Sequence, residues 1–159
     1  MIVVSDTSPI SNLLIIDRLE LLRNLYERVV IPTAVAAELK AIEHHRRALD
    51  SFDWINVVGL KNRGLFKSLS QTLDIGEAEA IALSVEISSD IVLIDELDGR
   101  REAGKLGLNV IGLMGVLVEA KREGFIDRIK PEVERLVSDA SFWISPKLIS
   151  EVLEEAGEK

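Results

Sequence analysis

Two short apolar runs in this chain each end on a carboxylate. Ile2-Val3-Val4 is followed by Ser5-Asp6, and Ile91-Val92-Leu93-Ile94 by Asp95. Short, continuously apolar runs suit fully buried strands. Asp6 and Asp95 then stand at the carboxyl ends of core strands, the edge where open α/β sheets bind ligands. Glu38 and Glu77 lie in helical stretches, at the margins of their apolar stripes. Four carboxylates converging at one sheet edge repel one another. At ~4 Å and an effective dielectric of about 20, each like pair costs on the order of 4 kcal/mol. Such a cluster needs protons or a cation. An all-oxygen donor set selects the hard ions Mg²⁺ or Mn²⁺ over Zn²⁺. Hard ions on carboxylates at an open site serve phosphate chemistry, by activating a water and neutralising charge on the phosphate.

Each acid also has a plainer reading on its own. Asp6 reads as an N-cap or turn residue, with Thr7 and Ser8 able to cap the next helix and Pro9 suited to its first turn. Glu38 sits one residue from the Val35, Leu39, Ile42 stripe and reads as a surface Glu. Glu77 reads as a first-turn carboxylate that complements the helix dipole. Angular placement separates Glu77 from Glu79. With about 100° per residue, Ile81, Val85, Ala78 and Ala82 form a core face, and Glu79 and Glu86 a polar stripe. Glu77 falls on the other edge, beside Ala80 and Ser84. An i, i+2 pair cannot share a face, so only one of Glu77 and Glu79 reaches a common site, and the small neighbours favour Glu77.

The elements that must position these residues alternate along the chain. Strand runs recur at Val29-Val30-Ile31, Ile55 to Leu60 and Val110-Ile111. Helical patterns recur between them. One includes Leu19 to Tyr26, and Pro32-Thr33 opens a single helix, AVAAELKAIEHH. Leu65 to Leu73 reads as a short helix or irregular connection. Gly99 to Gly107 follows the last acid, and VLVEAKREG ends at Gly124 as a C-cap. Ile129 to Ala140 and Pro146 to Ala156 close the chain. Strand–helix alternation predicts an α/β fold with a central, mostly parallel sheet between two helical layers. The 159 residues read as one domain, 1–159, with C-terminal helices at about 129–156 packing on or extending it. There is no cysteine, which excludes disulfides and thiolate metal sites and predicts a cytoplasmic setting. No apolar run approaches the ~20 residues of a membrane helix, so no membrane partner is expected. A net charge of −8 argues against a basic DNA-coating protein.

The ordered motifs resemble the PIN-domain nucleases, and more closely the short prokaryotic PIN-like proteins that begin DTSPI-x-N-L. The matching pieces begin with Asp6-Thr7-Ser8-Pro9-Ile10, Asn12-Leu13, Ile31-Pro32 and Glu38-Leu39. Gly76-Glu77-Ala78-Glu79-Ala80-Ile81-Ala82-Leu83 and Leu93-Ile94-Asp95-Glu96 with Arg100 follow. Val110-Ile111-Gly112, Gly115-Val116-Leu117 and Ala120-Lys121 complete the set. The resemblance implies a three-layer α/β/α fold and metal-dependent cleavage of single-stranded RNA. It implies that Asp6, Glu38, Glu77 and Asp95 bind Mg²⁺ or Mn²⁺. It also implies a toxin role beside a small antitoxin protein, and a homodimer. Two positions depart from the common pattern: Glu77 stands where many relatives have Asp, and Leu93 where many have Thr or Ser. Thr7, Ser8, Asn12, Arg100, Arg101 and Lys105 are candidate substrate contacts, the basic trio reading equally as a solvated helix face. The alternative function is a non-catalytic PIN-like module that binds RNA or a protein. A Mg²⁺-dependent phosphatase lacks a nucleophile motif, because Asp6-Thr7-Ser8 has no second Asp two residues on. Glu43-His44-His45 reads as a solvated helix end. Phe52, Trp54, Phe142 and Trp143 read as core or interface anchors rather than base-stacking platforms.

Overall fold

The computed structural model describes residues 1–158, the Glu43 side chain excepted. Its strands are β1 (Val3–Ser5), β2 (Val29–Pro32), β3 (Ile55–Val58), β4 (Ile91–Leu93) and β5 (Val110–Ile111). The first helices are α1 (Thr7–Ile15), α2 (Glu20–Tyr26), α3 (Thr33–Lys40), α4 (Glu43–Asp50) and α5 (Gly64–Leu69). The rest are α6 (Ile75–Glu86), α7 (Leu97–Lys105), α8 (Leu113–Arg122), α9 (Lys130–Asp139) and α10 (Pro146–Glu155). The five strands are all parallel, in the order β3-β2-β1-β4-β5.

Both faces of this sheet are covered, which is why its strands are apolar without alternation. Val3, Val29, Ile31, Ile91 and Leu93 face one core, shared with α1, α2, α3, α8, α9 and α10. Val4, Val92 and Ile94 face the other, built with α5, α6 and α7. The arrangement is a three-layer α/β/α fold. The C-terminal helices contribute Val133, Leu136, Val152 and Leu153 to the first core. Among the described residues no helix is long and apolar enough to cross a membrane.

Two expectations are corrected. The single helix expected after Pro32 is broken in two. Ile42 is extended (φ −95°, ψ 109°) and 46% exposed, so its stripe position lies beyond the reach of the core. In α6 every residue from Gly76 to Ser84 is buried, Glu79 among them, whereas Val85 is exposed. A helix enclosed by neighbouring elements on all sides has no solvated stripe for Glu79 to occupy.

The chain's last described residue anchors the layer that backs the sheet. The Glu158 carboxylate accepts hydrogen bonds from the backbone N–H of Ile129 (2.8 Å) and Lys130 (3.1 Å) and from Lys121 Nζ (2.9 Å). It therefore caps the α9 N-terminus across the chain. Burial alone would raise its pKa. The Ile129 N–H, Lys121 and the Lys130 N–H outweigh burial and hold it at about 2, below the ordinary 4.5. A depressed carboxylate stabilises the fold above its unfolded pKa, and the contribution disappears as pH falls through the folded value. Glu158→Gln is expected to lower Tm at pH 7 by about 4–10 °C, given about 1.5–3 kcal/mol for charged hydrogen bonds. In circular-dichroism melts the gap from wild type should close as pH falls from about 5 toward 2.

Candidate active site

The chain lays β1, β2 and β3 outward in one direction, then returns to place β4 on the other side of β1. The reversal leaves a crevice at the carboxyl ends of β1 and β4, the ligand position of open α/β sheets. The two strands are in register, Ser5 beside Leu93, and the Asp6 N–H donates to the Leu93 carbonyl at 3.0 Å. Asp6 is at the N-cap position of α1, yet its side chain makes no capping hydrogen bond. It is 4% exposed. The carboxylate is thus not committed to the role that its position alone suggests.

Helix α6 presents Glu77 to the same crevice. Asp74 caps this helix, its Oδ1 accepting from the Glu77 N–H at 2.8 Å. Glu77 is also 4% exposed, and its Oε2 is buried without a hydrogen-bond partner. Gly99 in α7 leaves room for that oxygen, because a Cβ at 99 would collide with Glu77 Oε2. Glu38 approaches from α3. The Thr7 hydroxyl donates to Glu38 Oε2, and a Cβ on Gly76 would stand 2.7 Å from Glu38 Oε1. Glycine at 76 therefore lets the Glu38 carboxylate lie against the first turn of α6.

Asp95 occupies the flank. Its Oδ1 accepts from the Leu113 N–H at 2.7 Å, at the start of α8. Its Oδ2 is buried and has no hydrogen-bond partner. Arg100 is held beside it, donating from Nη1 to the Ile94 carbonyl at 3.2 Å.

Electrostatics ties these acids together. Burial, with the charges of Asp74, Glu38 and Glu96 added, raises Asp6 to about 7, against the pull of the Thr7 N–H. Burial raises Glu77 to about 8, reinforced by its contact with the Asp74 carboxylate and by Asp6 and Glu96. Asp95 rises to about 6 by burial, offset by the Leu113 N–H and Arg100. The structure thus gathers Asp6, Glu77 and Glu38 with Asp74 and Glu96, and sets Asp95 beside Glu96 and Arg100. Among the described residues no three Asp, Glu or His side chains already stand in the arrangement that holds a metal ion. The donor chemistry nonetheless suits a hard divalent ion: every group is a carboxylate, and two buried carboxylate oxygens lack partners.

The remaining candidates lie around this centre. Glu79 turns away from Glu77. Its Oε1 accepts from the Ala34 N–H at 2.9 Å, in the first turn of α3, and its Oε2 pairs with Arg63 at 3.1 Å. Ser8 Oγ accepts from Asn12 Nδ2 at 3.1 Å, and both residues line the groove beside the acids. Arg101 pairs with Asp98 at 3.6 Å and Lys105 with Glu102 at 3.2 Å, along the outside of α7. Of Glu43-His44-His45, the Glu43 side chain lies outside the described residues. His45 corrects the reading of a solvated helix end, being buried with Nε2 2.9 Å from Ser11 Oγ. Asp74 and Glu96 were not singled out as site acids from the sequence. Asp74-Ile75-Gly76-Glu77 is a capping pattern, N-cap acid to Glu at the third helical position, that would have found the first. Glu96 is masked by its neighbour, since the strand's alternation ends before it.

The architecture is that of a PIN-like α/β/α domain. A profile of DUF3368, a PIN domain, matches residues 2–158, and the chain belongs to this family. Among solved structures, it is similar to a PilT N-terminus domain protein from the hyperthermophilic archaeon Sulfolobus solfataricus P2. The TM-score is 0.55 at 23% identity, covering 76% of this chain and 93% of that one. At that identity the likeness bears on the fold. No curated protein matches the chain.

The raised carboxyls make stability depend on pH in a defined sense. An acid whose folded pKa lies above its unfolded one stabilises the protein at low pH, and the contribution is lost as pH rises through the folded value. Without added metal, Tm is expected to fall from about pH 4, the ordinary carboxyl range, to about pH 8 and to level off above it, as Asp6 and Glu77 pass through values of about 7 and about 8. Asp6→Asn should flatten this decline and raise Tm at pH 9 by several degrees in scanning calorimetry.

Proposed function

We propose that this protein is a metal-dependent endoribonuclease that cleaves single-stranded RNA at the β1–β4 crevice. PIN domains are in general metal-dependent nucleases, which supports the reaction class. The observation that carries the reading is the burial of both Asp6 and Glu77 at the crevice. Neither side chain is used for a structural cap, and Glu77 Oε2 has no partner. Asp6 and Glu77 would hold Mg²⁺ or Mn²⁺, with Glu38, Glu96 and the unpartnered oxygen of Asp95 available to complete the set. A hard ion bound there supplies an activated water and neutralises charge on a phosphodiester. The chain's own residues do the positioning. Thr7 orients Glu38, Asp74 fixes the start of α6 beneath Glu77, and the Leu113 N–H orients Asp95. Arg100 offsets part of the negative charge at this edge. The RNA substrate, and a toxin setting with a small antitoxin and a homodimer, follow the DTSPI-type resemblance.

One observation favours the second reading, a non-catalytic module that binds RNA or a protein: the acids do not already form a three-ligand metal arrangement. Cleavage of a fluorescent single-stranded RNA in Mn²⁺, against the same reaction in EDTA, separates the two. The nuclease reading expects cleavage that EDTA abolishes. Asp6→Asn, Glu77→Gln and Asp95→Asn should each lower the rate by about a hundredfold or more, exceeding the 10–100-fold typical of outer-shell partners. Glu79→Gln should leave the rate within about twofold while lowering Tm, because Glu79 is a buried partner of Arg63 and α3. Wild-type protein that never cuts, or an Asp6→Asn variant that cuts at full rate, would overturn the reading.

A further inference from the structure

Beside the acids lies a groove of about 1000 Å³ between α7, β5 and the connection from α9 to α10. Ser8, Asn12, Asp95 and Glu96 line it together with Leu97, Trp143 and Leu148. Trp143 is 82% exposed, the largest exposure of any bulky apolar side chain among the described residues, and Leu97 is 69% exposed. The core-anchor reading fails for this residue, though it holds for Trp54, which is buried against Phe52.

The exposure of Trp143 is built into the connection. Ser141 is left-handed (φ 52°), a conformation few non-glycine residues adopt. The Phe142 N–H is tied back to the Leu136 carbonyl at 2.9 Å. Phe142 packs against the core and Ile144 is buried, so Trp143 between them projects outward. Ser145 then caps α10, its Oγ accepting from the Leu148 N–H at 3.1 Å. The backbone on both sides of Trp143 is therefore tied down.

We propose that this groove is a nucleobase subsite, in which a base of the nucleic-acid strand stacks on Trp143 while its phosphate lies at the acids. The proposal rests on the nuclease reading for the placement of the phosphate. Asp95 and Glu96, two of the acids, also line the groove, so a strand held at the acids lies against it. Ser8 and Asn12 supply hydroxyl and amide groups suited to a base edge. Electrostatic attraction is a poor source of affinity here. The net charge is −8, Arg100 lies beside Asp95 and bonds to Ile94, and Arg101 and Lys105 pair on their own helix. Stacking on an aromatic face does not depend on basic residues and accepts any base.

The probe is a thymidine octamer with methylphosphonate linkages, which is neutral and resists cleavage, beside an abasic octamer of the same backbone. Because Trp54 is buried, quenching of exposed-indole fluorescence reports on Trp143. The octamer should quench it and the abasic chain should not. By fluorescence polarisation, Trp143→Ala should weaken octamer binding by about tenfold or more, and Trp143→Phe by only about threefold. Equal binding of the abasic chain, absent octamer binding, or an unaffected Trp143→Ala variant overturns the proposal. So does a wild-type dimer that Trp143→Ala dissolves in sedimentation without changing octamer binding, which would assign the face to a second copy. Cleavage of ordinary RNA in Mn²⁺ is scored separately. Trp143-dependent binding without cleavage sinks the nuclease reading, and cleavage with Trp143-independent binding sinks the subsite.

Discussion

Burial of like charge at a sheet edge is the constraint around which this structure is organised. Asp6 and Glu77 are each 4% exposed and each lies within reach of further acids. Water does not screen such a pair effectively, so the ionised form is disfavoured until something positive arrives. Buried carboxylates left without a partner are costly. The sheet that carries them is covered by apolar core on both faces.

The scaffold also decides which acids meet. The reversal of strand order opens the crevice between β1 and β4. Small residues then bring the helices close. Gly76 admits Glu38, and Gly99 admits Glu77 Oε2. Several acids are withdrawn from the centre by structural duties. Glu79 caps α3 and pairs with Arg63, Asp74 caps α6, and one oxygen of Asp95 receives the Leu113 N–H. Asp6 and Glu77 are drawn on less: Asp6 meets the N–H of its own neighbour Thr7, Glu77 meets the Asp74 carboxylate, and Glu77 Oε2 has no partner.

Much of this was legible in the sequence because it depends on local pattern. Short β-branched runs marked β1, β2 and β4, and their last apolar residues located Asp6 and Asp95. The angular argument separated Glu77 from Glu79, since i, i+2 positions diverge in any helix. It misjudged the surroundings of Glu79. Periodicity assumes one wet face, and α6 has none over its buried stretch; the partner that satisfies Glu79, Arg63, lies outside the helix. The break at Ile42, the burial of His45 and the outward turn of Trp143 all depend on contacts between distant segments. That Glu96 joins the acids was unreadable for a related reason: once a strand ends, alternation no longer says which side chain turns inward.

The most direct test of the central claim is a calorimetric titration of Mn²⁺ into the wild-type protein at pH 7.5, repeated in buffers of different ionisation enthalpy. With Asp6 at about 7 and Glu77 at about 8, binding should release about one proton per ion, and Asp6→Asn should weaken binding and reduce that release. Absence of Mn²⁺ binding, or binding with no proton release and no dependence on Asp6, would contradict the account.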